Sequence, residues 1–269
     1  SPPMRDHPNL PDAAILDALR IHYGLDAAAL AFLPLGADSG SAVFRASDAA
    51  GAAYLVKLRA DGGFSAASLA VPHYLHARGV PHLVAPLSSA NGALWAPLDG
   101  FALALYPFLD VRMAAEAGLA DAQWRALGAT MRQIHEHTLP PALQAVIPRE
   151  RFVPSRRELL PDLERILGCK ALDDVGRELA ARWRRRRETI YTVTSRADAL
   201  GRALREATPP LPLALCHGDL HTWNILLDDQ QQWWLVDWDE VTLAPKERDL
   251  MFVMGGIASG LVSPHQTAC

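Results

Sequence analysis

The segment Cys216-His217-Gly218-Asp219-Leu220-His221-Thr222-Trp223-Asn224 constrains the fold of this chain most, because a second acidic segment, Val236-Asp237-Trp238-Asp239, follows shortly after it. Apolar runs frame both. Leu213-Ala214-Leu215-Cys216 leads into the first, Ile225-Leu226-Leu227 resumes directly after Asn224, and Trp233-Trp234-Leu235-Val236 carries the chain to Asp237. Runs of this composition, separated by the polar stretch Asp228-Asp229-Gln230-Gln231-Gln232, read as short strands joined by turns. Taken alone, His-Gly-Asp is an ordinary turn: Gly218 permits positive φ and Asp219 can hydrogen-bond its own backbone. The framing strands outweigh that reading. They are expected to be adjacent, with Asp219, Asn224 and Asp237 at their ends, where side chains from separate segments converge.

An Asp with an Asn five positions on, in the pattern H-x-D-x-x-x-x-N, is the spacing of a kinase catalytic loop. Phosphoryl transfer needs a carboxylate to orient a hydroxyl and accept its proton. It also needs an amide oxygen on a magnesium ion and a carboxylate linking that ion to nucleotide phosphates. Asp219 is the candidate for the first role, and Asn224 and Asp237 for the metal. Oxygen donors of this kind suit Mg²⁺, with ATP as co-substrate.

Upstream, Asp12 to Tyr23 reads as an amphipathic helix. Ala31 to Gly36 and Ser41 to Ala46 read as strands around the loop Gly36-Ala37-Asp38-Ser39-Gly40-Ser41. Small residues there, Ser39 and Gly40 among them, let backbone N–H groups approach phosphates. Gly and Ser also make plain hairpins. The strand Ala53 to Leu58 carries Lys57 inside an apolar run, like the V-A-I-K strand whose lysine contacts nucleotide phosphates. An edge lysine facing water is the simpler alternative. Ser65 to Ala77 reads as a helix interrupted by Pro72, and it contains no carboxylate to pair with Lys57. Leu94 to Leu98 and Phe101 to Tyr106 form a hairpin, and Pro107-Phe108-Leu109 a hinge. Tyr106 and Phe108 are the nucleotide-binding candidates at that hinge.

The remainder reads as mostly helical. Asp121 is the expected N-cap of a helix through His135, and tandem helices follow over 156–167 and 173–206. The run Trp183-Arg184-Arg185-Arg186-Arg187 reads as a solvated helix face. The expected architecture is α+β and bilobal: a small β-rich nucleotide-binding lobe over 1–107 and a larger, mostly helical lobe over 108–269 with the catalytic loop and substrate cleft.

Half of the 269 residues are hydrophobic, enough for a large core. The net charge of -4 argues against a nucleic-acid binder and suits a cationic small molecule. No apolar run has the length of a membrane span. The three cysteines, Cys169, Cys216 and Cys269, make neither a disulfide framework nor a zinc pattern, which points to a cytoplasmic setting.

Further stretches carry a resemblance: His22-Tyr23-Gly24, Gly36-Ala37-Asp38, Ala104 to Phe108, Gln123-Trp124 with Leu127-Gly128, Arg132 to Glu136, Leu215 to His217, Asp237 to Glu240, and Leu243 to Phe252. Together they resemble the aminoglycoside phosphotransferases, a family with the bilobal protein-kinase-like fold, and within it the spectinomycin 9-phosphotransferases. The resemblance implies transfer of the ATP γ-phosphoryl group to a hydroxyl of an aminocyclitol or aminoglycoside antibiotic, with spectinomycin foremost, conferring resistance. It implies a catalytic Asp219, Mg²⁺ on Asn224 and Asp237, and Lys57 on the α/β-phosphates. It also implies structural roles for His217 and for Asp249, the latter bracing the catalytic loop. His221, Asp239 and Glu240 are candidate substrate contacts. The alternatives are a kinase of the same fold acting on choline, a sugar or homoserine, and a catalytically dead nucleotide-binding protein. Relatives continue as further helices past the position of Cys269, from which follows an expectation of self-association through apolar surface.

Overall fold

Helix α1 (Asp12–Tyr23) ends where Gly24 takes a left-handed conformation, φ 63°, and its N–H closes onto the Arg20 carbonyl. The helix has the bounds expected from its periodicity. The structure is a computed structural model and describes residues 7–34, 40–60, 64–154, 157–169 and 172–253.

Strands β1 (Ala27–Leu33), β2 (Ser41–Asp48) and β3 (Ala53–Ala60) follow. Helix α2 (Ala67–Ala77) and strands β4 (Ala96–Leu98) and β5 (Phe101–Pro107) come next. The strands form one antiparallel sheet of five, in the order β1-β2-β3-β5-β4. The first strand begins earlier than its apolar run suggested, and Leu35 and Gly36 lie outside the described residues. Side chains alternate across a strand, so the register of β3 decides what each face carries. Val56 and Leu58 point one way, with Phe44, Leu103 and Leu105, and α1 covers them with Ile15, Ala18 and Leu19. Lys57 and Arg59 therefore share the other face, opposite the small residues Ala104 and Ala102 of β5.

Helix α2 runs through Pro72 rather than breaking there. A proline inside a helix costs about 3 kcal/mol or more in lost hydrogen bonding and clash. Val71 and Leu75 are fully buried in the second core, and each such side chain contributes about 1.5–3 kcal/mol, which offsets the cost.

Beyond β6 (Arg112–Met113), that second core also takes in residues of α3 (Ala114–Ala117) and α4 (Asp121–His135), with Leu143 of α5 (Pro141–Val146) packed against it, and the segments after residue 213. Leu127, Met131 and Ile134 form the buried stripe of α4. Asp121 is the first helical residue, not the N-cap. Ala120 holds the cap position, and its N–H donates to Gln123 Oε1 at 2.7 Å. The glutamine at the third helical position thus satisfies the cap residue's own N–H, the reciprocal half of a capping box.

By internal contacts the chain divides into two compact units, residues 1–148 with 214–269, and residues 149–213. The second unit is a helical pair, α6 (Leu160–Leu167) and α7 (Asp174–Arg205), closed over Leu167, Ala180 and Trp183. Asp173 caps α7 by accepting the Gly176 N–H at 2.7 Å. Arg184 to Arg187 are exposed on it. No helix among the described residues is long and apolar enough to cross a membrane.

In the first unit the remaining strands are β7 (Ala214–Cys216), β8 (Ile225–Leu227), β9 (Trp233–Leu235) and β10 (Thr242–Ala244). β8 and β9 are adjacent as their sequence suggested, but β7 does not lie beside them. β7 pairs with β10, whereas β8 pairs with β9 and β6. Spacing shows that strands exist, but their partners follow from which faces the second core buries. The stretch after β10 is a 3-10 turn, Lys246–Leu250.

Candidate active site

The turn after β7 is shaped by a backbone requirement. Gly218 has φ 85°, and a Cβ built on it would lie 2.1 Å from the Glu240 carbonyl oxygen. Only glycine fits. Gly218→Ala adds a steric cost to a left-handed penalty, about 1–3 kcal/mol each. It is expected to lower the melting temperature and remove activity together; a variant with the parental melting curve would refute this reading of the turn.

Asp249 stands beneath the turn, 1% exposed. Its Oδ2 accepts the His217 N–H at 3.1 Å and His135 Nε2 at 2.8 Å, and its Oδ1 accepts the Gly218 N–H at 2.8 Å. His217 is fully buried and packs on the Trp238 ring, with centroids 4.7 Å apart. Its Nε2–H donates to the Val236 carbonyl at 3.0 Å, while Nδ1 accepts the Asp219 N–H at 3.3 Å. Those two bonds set the tautomer. Burial, the largest influence, keeps the ring below the ordinary histidine pKa despite nearby carboxylates, so His217 is neutral. It ties the turn that carries Asp219 to the strand end that carries Asp237.

Asp219 emerges half-buried. Asn224 Nδ2 donates to its backbone oxygen at 3.0 Å and to its Oδ2 at 3.1 Å, and His221 Nε2 lies 3.3 Å from the same Oδ2. The hydrogen bond from His221 leads in holding this carboxyl below the ordinary range, against partial burial. Because the Asn224 Nδ2 is spent on Asp219, its remaining amide atom is an oxygen acceptor. The His221 ring meets Phe252 edge-on at 5.3 Å. The Val236 N–H donates to the Asn224 carbonyl at 3.0 Å and joins the two segments a second time.

Asp237 follows with φ 65°, uncommon for a residue other than glycine and costing about 1–3 kcal/mol. That turn places Asp237 and Asp239 against the sheet face of β3. Lys57 Nζ donates to Asp237 Oδ1 at 3.0 Å and to Asp239 Oδ2 at 2.9 Å; Arg59 donates to Asp239 Oδ2 at 2.6 Å. Burial works against the Lys57 charge, but the two carboxylates overcome it and raise its pKa. Asp237 is pulled down by Lys57 against its own burial. Burial, with the adjacent Asp237 charge, pushes the Asp239 carboxyl up against the pull of Lys57. Burial followed by the Asp239 and Asp237 charges also pushes up the Tyr106 phenol.

The structure thus brings together Asp219, His221 and Asn224, and separately Lys57, Asp237 and Asp239, with His217 and Val236 between the two groups. Phe108 lies under the Arg45 guanidinium, 5.0 Å from the ring centre, and its N–H donates to the Ala53 carbonyl. Gly40 accepts the Ala60 N–H through its carbonyl, and Glu240 is exposed. Ser39 lies outside the described residues. Two residues of the network, Arg59 and His135, had no role assigned from sequence. Arg59 is two positions from Lys57 and shares its face, a signal present in the strand alternation. Nothing local distinguishes His135 from the rest of its helix.

These features belong to a known class. The sequence model of the phosphotransferase enzyme family matches residues 31–264, and the chain belongs to that family. The spectinomycin phosphotransferase APH(9)-Ia, solved with ADP and spectinomycin, is similar at 26% identity and a TM-score of 0.85, over 97% of this chain and 78% of that one. The AMP-bound complex of the same enzyme gives a TM-score of 0.79 at 26% identity, over 95% of this chain and 78% of that one. The amicoumacin kinase hAmiN, solved with AMP-PNP, Ca²⁺ and its antibiotic, shares the fold at 18% identity and a TM-score of 0.66, over 95% and 72% of the two chains. Among curated proteins no significant match is found. The fold is α+β and kinase-like, and the chain is a small-molecule kinase.

Proposed function

We propose that this kinase transfers the γ-phosphoryl group of ATP to a hydroxyl of an aminocyclitol antibiotic, with spectinomycin the first candidate. The supporting observation is the set of Asp219 with Asn224 and Asp237 with Lys57, two hydrogen-bonded pairs tied together through His217 and Val236, in a chain similar to a spectinomycin phosphotransferase. In this reading, residues 1–107 bind the nucleotide and 108–269 supply the chemistry and the acceptor contacts.

Asp219 orients the acceptor hydroxyl and takes its proton as the oxygen attacks. Its lowered pKa keeps it ionised at neutral pH, ready to accept. Asn224 and His221 fix its rotamer, so orientation precedes binding. Lys57 reaches the α/β-phosphates from the sheet. The carboxylate of Asp237 and the free amide oxygen of Asn224 are hard oxygen donors, and they fit a divalent cation such as Mg²⁺. When bound, that ion supplies neutralisation of charge on the phosphate oxygens. Asp219 and Glu240 give the acceptor region the sign that suits a substrate with protonated amines.

Phosphate transfer from labelled ATP, measured across spectinomycin, other aminoglycosides, choline, simple sugars and homoserine, tests the proposal. Turnover confined to choline, a sugar or homoserine would replace the antibiotic reading, and nucleotide binding without turnover on any acceptor would select an inactive binder. Asp237→Ala is expected to weaken Mg-ATP binding more than Asn224→Ala, since a carboxylate brings charge that an amide lacks. Isothermal titration checks this, and unchanged affinity in both variants would remove the metal role from these positions.

A further inference from the structure

The charge on Lys57 needs an anchor, and the fold does not supply it from helix α2. That helix, Ala67–Ala77, contains no Asp or Glu. The anchoring comes from the segment after β9. Asp239 lies two residues beyond Asp237 and accepts Lys57 at 2.9 Å through Oδ2, the oxygen that also accepts Arg59 at 2.6 Å. All three side chains are largely enclosed: Lys57 is 18%, Arg59 17% and Asp239 21% exposed. Lys57 and Arg59 project from the same face of β3, and their neighbours on β5 are alanines, which leave room for both long side chains.

We propose that Arg59 and Asp239 are positioning residues for Lys57, standing in for the missing helix carboxylate. Arg59 clamps the Asp239 carboxylate, and Asp239 in turn holds the Lys57 ammonium where it meets the nucleotide phosphates. Strand β3 therefore carries both the phosphate-binding lysine and the residue that secures its anchor. A carboxylate paired with two cations on one oxygen is already oriented and charge-compensated, so it is poorly placed to bind a cationic acceptor. This assigns Asp239 to the nucleotide and away from the acceptor. The inference rests on the phosphotransferase reading above.

The test measures Arg59→Met, Arg59→Lys, Asp239→Asn, Asp239→Glu and Lys57→Met against the parent protein. Three quantities are read: ADP affinity by titration calorimetry, melting of the ligand-free protein, and KM values for ATP and acceptor at graded Mg²⁺. Arg59→Met and Asp239→Asn are expected to raise the ATP KM and the ADP Kd about tenfold. The acceptor KM and the Mg²⁺ concentration for half-maximal rate are expected to stay within about twofold. Arg59→Lys and Asp239→Glu should recover part of the loss. Combined with Lys57→Met, either variant should add little further loss of ADP affinity, and the melting shifts of the ligand-free protein should likewise be less than additive. Additive effects, or parental ADP affinity in Arg59→Met, would overturn the proposal. A raised Mg²⁺ requirement in Asp239→Asn would make that residue a metal ligand, and a raised acceptor KM would make it an acceptor contact; either overturns it too. Because ADP affinity needs no acceptor, absence of turnover on every acceptor would sink the functional reading alone. A parent protein that binds no nucleotide would sink both.

Discussion

Asp219→Asn is expected to lower kcat by about 10²–10⁴, the range for a positioned acid–base group, while ADP affinity stays near the parental value. The substitution keeps the side-chain volume and removes the charge. It also replaces one oxygen that accepts from Asn224 and faces His221 with a group of altered hydrogen-bonding character. Lys57 and Asp237, the proposed nucleotide contacts, pair with each other and not with Asp219. Initial rates with saturating ATP and acceptor, beside calorimetric titration with ADP, separate the two effects. A variant that keeps most of its turnover would end the assignment of Asp219 as the proton acceptor.

Asp249→Ala carries the largest expected stability effect. The carboxylate is enclosed and accepts from two backbone amides and one histidine. Removing it leaves buried donors without partners, each costing about 1–3 kcal/mol. At about 2–4 °C per kcal/mol for a chain of this class, the melting temperature should fall by about 10 °C or more. Activity should fall with it, because the amides that lose their acceptor belong to the turn presenting Asp219. Thermal melting and phosphate-transfer rates check the pair. A variant melting within a few degrees of the parent and turning over normally would show that Asp249 does not hold the turn.

What could be read without the structure was what short-range chemistry dictates. Helix α1 follows from its amphipathic pattern over Asp12 to Tyr23. The Lys57 strand follows from a β-rich apolar run. The link from Asn224 to Asp219 spans five positions, so one loop brings the two together. The glycine requirement at position 218 could be suspected from positive φ, but its cause, the Glu240 carbonyl pressed against it, could not.

Boundaries set by competition were less legible. Proline chemistry argued for a break at Pro72, yet burial of the neighbouring Val71 and Leu75 keeps α2 continuous. An aspartate looked like the cap of α4, yet Gln123 reaches back to the Ala120 N–H instead. In both cases a local preference worth a few kcal/mol at most was overridden by packing or by a better-placed side chain.

The class of fold, its local elements and the His-Gly-Asp-x4-Asn spacing were legible in the sequence, because hydrophobic period and turn chemistry act over a few residues. The tertiary structure alone decided that β7 joins β10 and not β8, and that Asp249 is met by His135 from α4. It also decided that Lys57 finds Asp237 and Asp239 rather than a helix carboxylate, with Arg59 beside it. Those partners are far apart along the chain. Their meeting depends on which faces the two cores bury, and no local spacing encodes that.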